Sequence, residues 1–429
     1  MALRRVPKDR YVSREFMQLE WERLWTRVWL LAGHAARLAE PGSFFTFEIG
    51  PESLLLVRDR SGRPRAYYNV CQHRGARLCA DDQGRAESFR CPYHAWVYGL
   101  DGALLRAPGL KTSEAPESRR YLGSLPPETP DAPPSSCSLP HGLPELRCEI
   151  LGGFVWVCLA PDPEPLDRFL GPVLPRLLAY EPEGYRLTQD QTVEIACNWK
   201  TSTDVSNEAY HLRSLHPELC AVVDDTQITV ERIGLHGHIG VPLGAPTPGT
   251  RWAGTVSGPL RDLLRSYGLD PARFEADPPA ARPALLAAAQ ARAAAEGLAL
   301  PGLSAEQLLD KHQLYVFPNV QLNFTLRTLE IYRHRPHPLD PQITLFDEQA
   351  YERARPGAAL RPPPARRRFR HGEAPLGPVM GADVDLLPVL QRGMASRGFS
   401  ELLLSDPEAA IDTMHQGLDH YLFGAERPA

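Results

Sequence analysis

The first third of the chain changes from a helical to a β-type pattern of hydrophobic positions near residue 40. Over residues 10–33, apolar side chains recur at helical spacing among charged neighbours, which predicts one amphipathic helix packed against the rest of the protein. From Gly42 to about Pro161, short alternating runs are separated by Gly and Pro, as in an antiparallel β domain. Residues 108–140, rich in Pro and Ser, predict a surface loop.

The remainder of the chain mixes helical and strand-like patterns. The predicted helices are Leu166–Tyr180, Ala280–Leu300 and Leu402–Leu422, and the predicted strands are Arg186–Asn198, Gln227–Val241 and Leu314–His334. Helices that cover an antiparallel sheet make this part an α+β domain.

Composition narrows the class of protein. The 429 residues carry 47 Lys and Arg against 52 Asp and Glu, a formal charge of −5. This balance does not predict a nucleic-acid or anionic-membrane surface. No apolar run approaches the ~18 residues of a membrane span, and the charged start lacks the apolar core of a secretory signal. We therefore expect a cytoplasmic protein.

Two of the eight cysteines stand apart because each is followed closely by a histidine. Cys71 and His73 form a Cys-x-His motif, and Cys91 and His94 form a Cys-x-x-His motif, with 17 residues between them. A large chain without a secretion signal does not use such cysteines as a disulfide framework. Two thiolates and two imidazoles on paired loops suit either a tetrahedral zinc ion or a [2Fe–2S] cluster with Cys₂ on one iron and His₂ on the other.

The surrounding sequence favours the cluster. Each motif follows a β-rich segment, Gly75 lets the first loop turn back, and Pro92 stiffens the second. A zinc ribbon would normally use Cys-x-x-Cys knuckles, which the sequence lacks.

The strings Cys-Gln-His-Arg-Gly-Ala-Arg-Leu-Cys (71–79) and Cys-Pro-Tyr-His-Ala-Trp-Val-Tyr-Gly-Leu-Asp-Gly (91–102) closely resemble the Rieske domain of ring-hydroxylating oxygenase α subunits. Ala95 stands where that family usually has Gly. The resemblance implies a Rieske [2Fe–2S] cluster, which moves one electron at a time. Its ligands would be Cys71, His73, Cys91 and His94.

A second chemical motif begins with Asn-Trp-Lys. Residues 201–211 predict a helix with Asp204, Glu208 and His211 on one face, and His216 follows. A His-x₄-His pair alone is usually a surface or core pair. Beside an acid and downstream of a Rieske motif, it suits the facial triad of non-haem Fe(II) oxygenases, which has two imidazoles and one carboxylate.

This stretch also resembles the family's catalytic helix, Asn-Trp-Lys through Glu/Asp-x-Tyr-His-x₄-His. The match implies that His211 and His216 are iron ligands. Glu208 occupies the position of the acid that bridges a Rieske histidine of one subunit and an iron-ligand histidine of the next. Many relatives have Asp there, and Glu is more typical of monooxygenating members. Val205 replaces an Asn commonly found beside the iron.

The third iron ligand must be a carboxylate from far along the chain. The family places it about eight residues before a Gln-x-Gly helix turn, which implies Asp383, eight residues before Gln391. Asp385 is the alternative if the register shifts by two residues. A purely structural interpretation makes Asp383 the cap of a helix that begins near Val384.

The resemblance implies an α+β protein in three parts. Residues 1–40 would be a helical segment that packs on the catalytic domain, and residues 41–162 an antiparallel β Rieske domain. Residues 163–429 would be the mononuclear non-haem iron domain, with a helix-grip (START-like) fold in which helices cover an antiparallel sheet.

The implied function is that of the oxygenase component of a Rieske non-haem iron oxygenase. It would use O₂ and electrons from NAD(P)H, delivered by a separate reductase with or without a ferredoxin, to hydroxylate or demethylate a small organic substrate. No Gly-x-Gly-x-x-Gly fingerprint follows a strand, which fits binding of NAD(P)H by the separate reductase.

Members of the family are usually trimers in which the cluster of one chain faces the iron of its neighbour, and Glu208 implies a homotrimer here.

Three alternative functions remain open. Ring cis-dihydroxylation competes with monooxygenation, which Glu208 favours. A Rieske electron carrier or a hydrophobic-ligand-binding protein would do no oxygen chemistry. The basic segment Pro356–Arg370 predicts a solvated linker, with docking of an acidic ferredoxin as the alternative.

No motif marks the substrate contacts. Several residues of the predicted strands are candidates, each with simple core packing as the alternative: His236, His238, Phe317, Asn319, Asn323 and Phe324.

Overall fold

The computed structural model describes residues 4–108, 141–298, 302–354 and 364–424. All but the first residue of the loop predicted at 108–140 therefore lies outside the described residues. The chain divides into two compact units, Leu30–Asp162 and a second unit that combines Met1–Trp29 with Pro163–Ala429.

The N-terminal segment is not the single helix predicted at residues 10–33. Its elements are strand β1 (Arg4–Pro7), helices α1 (Asp9–Val12) and α2 (Arg14–Glu20), and a π-helical turn, Trp21–Trp25. From Leu30 the chain is extended and every residue up to His34 is buried, so this run pairs with other strands rather than presenting one helical face. The boundary predicted at residue 40 differs from the observed division for this reason.

The unit Leu30–Asp162 consists of antiparallel strands, as predicted. Its strands are β2 (Leu30–His34), β3 (Ser43–Ile49), β4 (Glu52–Arg58), β5 (Pro64–Tyr68), β6 (Gln83–Arg85), β7 (Phe89–Arg90), β8 (Val97–Tyr98), β9 (Leu104–Arg106), β10 (Glu145–Leu151) and β11 (Phe154–Cys158). Seven form a sheet in the order β2-β11-β10-β5-β4-β3-β6, and three form a second sheet, β7-β8-β9. A hydrophobic core that includes Tyr67, Trp96 and Tyr98 also contains both motif cysteines, Cys71 and Cys91.

The second unit is built on an eight-stranded sheet in the order β13-β14-β15-β16-β17-β18-β12-β19. The strands are β12 (Tyr185–Ile195), β13 (Thr229–Ile233), β14 (His236–Val241), β15 (Lys311–Val316), β16 (Val320–Phe324), β17 (Thr328–Pro336), β18 (Thr344–Arg353) and β19 (Arg367–Arg370). All neighbouring pairs are antiparallel except β12 and β19. Strand β20 (Glu401–Leu404) pairs with β1.

Turns divide two of the long predicted strands. The run 227–241 is a hairpin that turns at Gly234, whose φ of +62° suits a residue without Cβ. The run 314–334 forms three strands, and the first break contains Pro318, which has no N–H for a ladder. The end of the predicted basic loop, 367–370, is strand β19, while residues 355–363 lie outside the described residues.

Helices complete this unit. They are α3 (Leu166–Leu170), α4 (Val173–Leu178), α5 (Trp199–Ser206), α6 (Leu212–Leu215), α7 (Gly258–Ser266), α8 (Ala281–Ala295), α9 (Ala305–Leu309), α10 (Pro378–Met394) and α11 (Ala409–Phe423). Short 3₁₀ helices of this unit lie at Pro182–Gly184, Leu219–Ala221, Asp225–Gln227, Pro271–Phe274, Pro278–Ala280 and Asp406–Glu408. One more, Ala35–Leu38, belongs to the unit Leu30–Asp162. The predicted helix at 166–180 is split by Gly171, where φ is +46°.

The α+β class is thus confirmed, with helices packed on an antiparallel sheet. Helices α5 and α10 lie on one face of it: α5 bonds to β15, β16 and β17, and α10 shares a hydrophobic cluster with β12 and β18. Within the described ranges, we find no helix with the length and apolar character needed to cross a membrane.

Candidate metal centres

The two Cys–His motifs of the unit Leu30–Asp162 form loops with the same hydrogen-bond pattern. The N–H of Cys71 donates to the carbonyl of Ala76 (2.8 Å), and the N–H of Cys91 donates to that of Trp96 (2.8 Å). The carbonyl of each cysteine in turn accepts an N–H from the residue four positions later. This repeated loop presents one thiol and one imidazole from each motif.

The side chains of the loops are arranged as a cluster requires. Cys71 and Cys91 are buried as free thiols. The rings of His73 and His94 lie 4.6 Å apart between centroids. Nδ1 of His94 is buried and has no hydrogen-bond partner in the part of the chain that the structure describes. An unsatisfied buried nitrogen facing a second imidazole fits a metal-binding role.

Neighbouring aromatic residues hold the loops in place. The ring of Trp96 stacks on His73 at 4.7 Å with an interplanar angle of 5°. The Tyr98 hydroxyl lies 3.4 Å from Sγ of Cys71 and accepts the N–H of Gln72 at 3.0 Å. Such hydrogen bonds to the sulfur and its loop are among the features that set the potential of an iron–sulfur cluster.

Ala95 adopts a left-handed backbone conformation that favours glycine. Its φ is +58°, close to the +73° of Gly75 at the matching place in the first loop. A side-chain methyl group in this left-handed region costs roughly 1–2 kcal/mol. The substitution therefore strains the loop without changing its path.

The helix that contains the start of the second motif ends earlier than predicted. Helix α5 ends at Ser206, because the side chain of Asn207 accepts hydrogen bonds from Gln313 and Gln321 of the sheet (3.3 and 3.0 Å). Asp204, Glu208 and His211 consequently do not share one helical face. His211 and His216 instead stand at the two ends of the short helix α6.

His211, His216 and Asp383 nevertheless converge. Their candidate ligand atoms all lie within 4.8 Å of one another. One oxygen of Asp383, Oδ1, lies 2.7 Å from Nε2 of His216 and 3.5 Å from Nε2 of His211. Burial raises the pKa of Asp383, although both histidines act against that shift. A cation bound among these three groups would compensate the buried carboxylate, so the donor set fits a divalent metal.

Glu208 contacts the first of these histidines directly. Its Oε1 bonds to Nδ1 of His211, and its Oε2 accepts the backbone N–H of His211 at 3.1 Å. Burial opposes protonation of His211, but the carboxylate outweighs it and raises the pKa of the imidazole. With Nδ1 engaged by Glu208, Nε2 is left as the atom that faces Asp383.

Asp383 lies within α10 and is not its cap. The helix begins at Pro378 with Gly377 as its N-terminal flanking residue, six residues earlier than a cap at Asp383 would require. Asp385, the alternative ligand, is exposed and pairs with His371 (2.7 Å). The structure therefore brings Asp383, rather than Asp385, to the two histidines.

Gln391 of the Gln-x-Gly turn anchors α10, the helix that carries Asp383, to α5. Its Oε1 accepts the N–H of Asn198 (2.8 Å) and the hydroxyl of Thr201 (3.0 Å), and its Nε2 donates to the carbonyl of Tyr11 (3.1 Å). One buried amide thus fixes the helix that carries Asp383 relative to α5 and α1.

A buried chain of hydrogen bonds ends on Asp204. The sequence predicts this residue on the same helical face as Glu208. Nε2 of His415 lies 2.8 Å from the Tyr11 hydroxyl, which donates to Asp204 (2.7 Å); Arg10 lies 3.3 Å from Nδ1 of His415. Burial raises the pKa of Asp204 to about 7 despite the Tyr11 hydrogen bond and the Lys200 charge. No spacing rule connects Tyr11 to His415, so only the fold reveals this network.

The candidate pocket residues have mostly structural partners. His236 contacts the carbonyl of Phe169 (2.7 Å) and the N–H of Phe317 (3.2 Å), and His238 stacks on His312. Asn319 donates to the carbonyl of His334 (2.9 Å). Core packing therefore accounts for five of the six candidates: His236, His238, Phe317, Asn319 and Phe324. Asn323 differs because it lies on the face of the sheet that carries α5.

Two family models match the chain. Residues 182–424 match the model described as ring hydroxylating alpha subunit (catalytic domain), and residues 28–124 match the Rieske [2Fe-2S] domain. The first match contains the three convergent side chains, and the second contains both Cys–His loops. Together the matches imply a Rieske [2Fe–2S] cluster and a mononuclear iron, and the residues present fit both groups.

Curated relatives are similar over part of their length. The glycine betaine monooxygenase oxygenase subunit of Pseudomonas aeruginosa is 29% identical over 214 residues, which is 50% of this chain and 45% of that protein. The large oxygenase component of salicylate 5-hydroxylase from Ralstonia sp. is 31% identical over 218 residues, 49% of each chain. The chain thus spans about half the length of the curated relatives it matches.

Solved structures share the fold over almost the whole chain. The quaternary ammonium Rieske monooxygenase CntA, with an inhibitor bound, has a TM-score of 0.68 at 18% identity and covers 98% of this chain and 96% of its own. Naphthalene 1,2-dioxygenase from Rhodococcus sp. has a TM-score of 0.63 at 18% identity, with 99% and 95% covered. At this identity the likeness concerns the fold alone.

Proposed function

The chain belongs to the ring-hydroxylating α-subunit family, with a Rieske [2Fe–2S] domain ahead of the catalytic domain, and on this premise we propose that it is the oxygenase component of a Rieske non-haem iron oxygenase. The observation that carries the proposal is the convergence of His211, His216 and Asp383 in a chain that also holds the paired Cys–His loops.

The side chains have distinct proposed roles. When bound, the cluster supplies single electrons and the mononuclear iron supplies the site where O₂ and substrate react. Cys71, His73, Cys91 and His94 are the proposed cluster ligands, and His211, His216 and Asp383 the proposed iron ligands. Glu208 holds Nδ1–H of His211, so that the Nε2 lone pair faces the metal position.

Electrons would enter from separate proteins. NAD(P)H would reduce a reductase, with or without a ferredoxin, and that partner would reduce the cluster. This source of electrons would place the reaction in the cytoplasm.

We propose a homotrimer in which Glu208 accepts a hydrogen bond from a cluster histidine of the neighbouring subunit, as the family resemblance implies. The exposed position of His73 supports such a contact.

Monooxygenation is the reaction type that the residues favour. The overall change would be RH + O₂ + NAD(P)H + H⁺ → ROH + H₂O + NAD(P)⁺, and hydroxylation of an N- or O-methyl group would lead to demethylation. Glu208 and the apolar Val205 support this choice. Relatives include an N,N-dimethyl phenylurea N-demethylase and also ring dioxygenases such as benzene 1,2-dioxygenase, so cis-dihydroxylation is the second candidate.

Turnover under ¹⁸O₂ tests the proposal. The reconstituted enzyme, with a reductase and NADH, is given a panel of aromatic acids, quaternary amines and methyl ethers. We expect one labelled oxygen atom per hydroxylated product. Two labelled atoms in a cis-diol would favour dihydroxylation, and no label from O₂ in any product of fully metallated enzyme would contradict oxygenase activity.

Metal analysis, the rate of reoxidation of the reduced cluster and turnover test the role of Glu208. We expect Glu208→Ala to keep its iron and sulfide while reoxidation of the reduced cluster slows by roughly 10–100-fold. Glu183→Ala, at an exposed site of the same unit, is the control and should behave as wild type. Wild-type turnover by Glu208→Ala would refute the bridging role.

A further inference from the structure

One face of the eight-stranded sheet carries a row of polar side chains beside the candidate iron site. The register places Gln321 opposite Tyr332, Tyr332 opposite Glu348, and Glu348 opposite Gln191. Directly opposed residues point to the same face of a sheet. Gln321 of this row donates to Asn207 at the end of α5 (3.0 Å), so the row lies on the face that carries α5 and α10.

Tyr332 places this row close to the proposed iron ligands. Tyr332, Val205 of α5 and Met380 of α10 pack against one buried hydrophobic cluster, and Met380 lies three residues before Asp383. Burial raises the pKa of Tyr332 well above its usual value, with smaller contributions from nearby carboxylates that include Asp383. The row therefore forms part of the wall that a substrate at the iron would meet.

The row carries more negative than positive charge. Nζ of Lys311 lies 3.1 Å from Glu330, which also accepts the Tyr332 hydroxyl (3.0 Å). Glu348 is half-buried, and among the described residues its hydrogen-bond partner is the Gln191 amide, with no Lys or Arg nitrogen within 4.0 Å. The Lys311 ammonium thus pairs with Glu330 and lies over one face of the Tyr332 ring, 6.0 Å from its centre. Glu348 has no paired cation among the described residues, so its charge is not compensated.

Asn323 adds a further acceptor to the same face. It lies directly opposite Glu330 and is only 2% exposed. Its Oδ1 is buried and finds no hydrogen-bond donor within the described ranges. Arg367 of β19 lies opposite Gln191 of β12; its side chain is exposed, and its guanidinium carbon lies 5.4 Å from the centre of the Phe369 ring. Oδ1 of Asn323 is therefore an unsatisfied acceptor on this face, while Nδ2 of Asn207, at the end of α5, is an unsatisfied donor.

We propose that Glu348, Glu330 and the ring of Tyr332 form a subsite for the positively charged nitrogen of an organic ammonium substrate. A carboxylate pairs with the cation, and an aromatic face attracts it further. A neutral hydrocarbon in this position would cover Glu348 without compensating its charge, which is unfavourable. The proposal rests on the proposed oxygenase function only in taking this face of the sheet as part of the substrate site.

Matched isosteres test the charge requirement. The first pair is 2-(dimethylamino)ethanol, protonated at neutral pH, and 3-methylbutan-1-ol; the second is choline and 3,3-dimethylbutan-1-ol. Each pair shares a carbon skeleton and differs in whether its branched centre is a cationic nitrogen or a neutral carbon. Calorimetric titration of the purified full chain measures binding without turnover. We expect both cations to bind at least about tenfold more tightly than their neutral partners.

Variants locate the subsite. Glu348→Gln keeps the size of the side chain and its contact with Gln191, and should remove most of the preference for cations. Tyr332→Leu should weaken cation binding, whereas Tyr332→Phe keeps the ring and should retain it. Glu352→Gln, at an exposed position on the same strand, is the control and should bind like wild type.

The outcomes separate this inference from the proposed function. Equal affinity for the cations and their isosteres, or an unchanged preference in Glu348→Gln, would overturn the subsite. Incorporation of ¹⁸O into a neutral substrate without cation binding would leave the oxygenase function standing and refute the inference. Cation binding that depends on Glu348 in an enzyme that incorporates no oxygen would support the subsite and refute the function.

Discussion

Residue 95 shows how a single methyl group can strain a loop of the candidate cluster site. Ala95 and Gly75 hold matching places in the two loops, and both have positive φ. The sequence departs from the family's usual residue here, yet the fold imposes the same backbone conformation. The cost of this conformation therefore falls on stability rather than on the path of the loop.

We predict that Ala95→Gly raises the free energy of unfolding by about 1 kcal/mol, because glycine adopts positive φ without steric cost. Denaturant unfolding of the full chain measures the change. Ala76→Gly is the matched control: Ala76 follows Gly75 at the place that Trp96 takes in the second loop, and its φ is not positive. It should destabilise the protein, and a gain from both substitutions would contradict the argument from φ.

Asp204 is a buried acid whose protonation should make stability depend on pH. Its pKa is raised to about 7, chiefly by burial, against about 3.9 in an unfolded chain. A raised pKa means that the folded state favours the neutral acid. The resulting contribution to stability is complete below about pH 3.9 and is lost as the pH rises towards 7.

We therefore expect Asp204→Asn to gain stability relative to wild type between pH 5 and pH 8, by up to a few kcal/mol. Urea titrations of both proteins across this range supply the comparison. The asparagine keeps an oxygen for the Tyr11 hydroxyl, which limits other changes. If the difference between the two proteins did not vary with pH, Asp204 would be ionised throughout.

At the level of elements, α10 depends on the anchoring amide of Gln391. Gln391→Leu would leave the buried N–H of Asn198 without its acceptor, at a cost of about 1–3 kcal/mol. We expect it to lower occupancy of the mononuclear iron site while cluster content stays the same, as measured by metal analysis and unfolding. Arg392→Leu, at the exposed next position, should change neither occupancy. Equal loss of both metals would point to general unfolding.

The elements also show what the sequence can predict. The spacing of Cys71, His73, Cys91 and His94 marks local loops, and local motifs are visible without the fold. The helix predicted over 201–211 was wrong beyond Ser206, because Asn207 is captured by Gln313 and Gln321, which are more than 100 residues away. Similarly, the helix predicted at 10–33 ends early because Leu30–His34 pairs with β11. Long-range hydrogen bonds leave no local pattern.

The same contrast between local motifs and long-range contacts applies to the candidate iron site and its surroundings. Asp383 was predicted from its distance to the Gln-x-Gly turn, and that turn is itself the contact that positions α10. The network from Arg10 through His415 and Tyr11 to Asp204, and the polar row around Tyr332, arise from strand register and from packing between distant segments. Neither has a spacing that a sequence search can detect.

On the scale of the whole molecule, the chain combines two compact units with different chemistry. The unit Leu30–Asp162 presents a repeated loop suited to a cluster. The other unit brings together the three candidate iron ligands, of which His216 and Asp383 are 167 residues apart in the sequence. We propose that single electrons pass from the cluster to the mononuclear iron, and this transfer would join the two centres in function.

The most direct test is the amount of iron and acid-labile sulfide per chain in wild type and His216→Ala. We predict about three irons and two sulfides in the wild type, and about two of each in the variant, with the cluster's absorption spectrum preserved. Zinc in place of iron, or a variant that keeps the full iron content, would contradict the assignment of two separate iron centres.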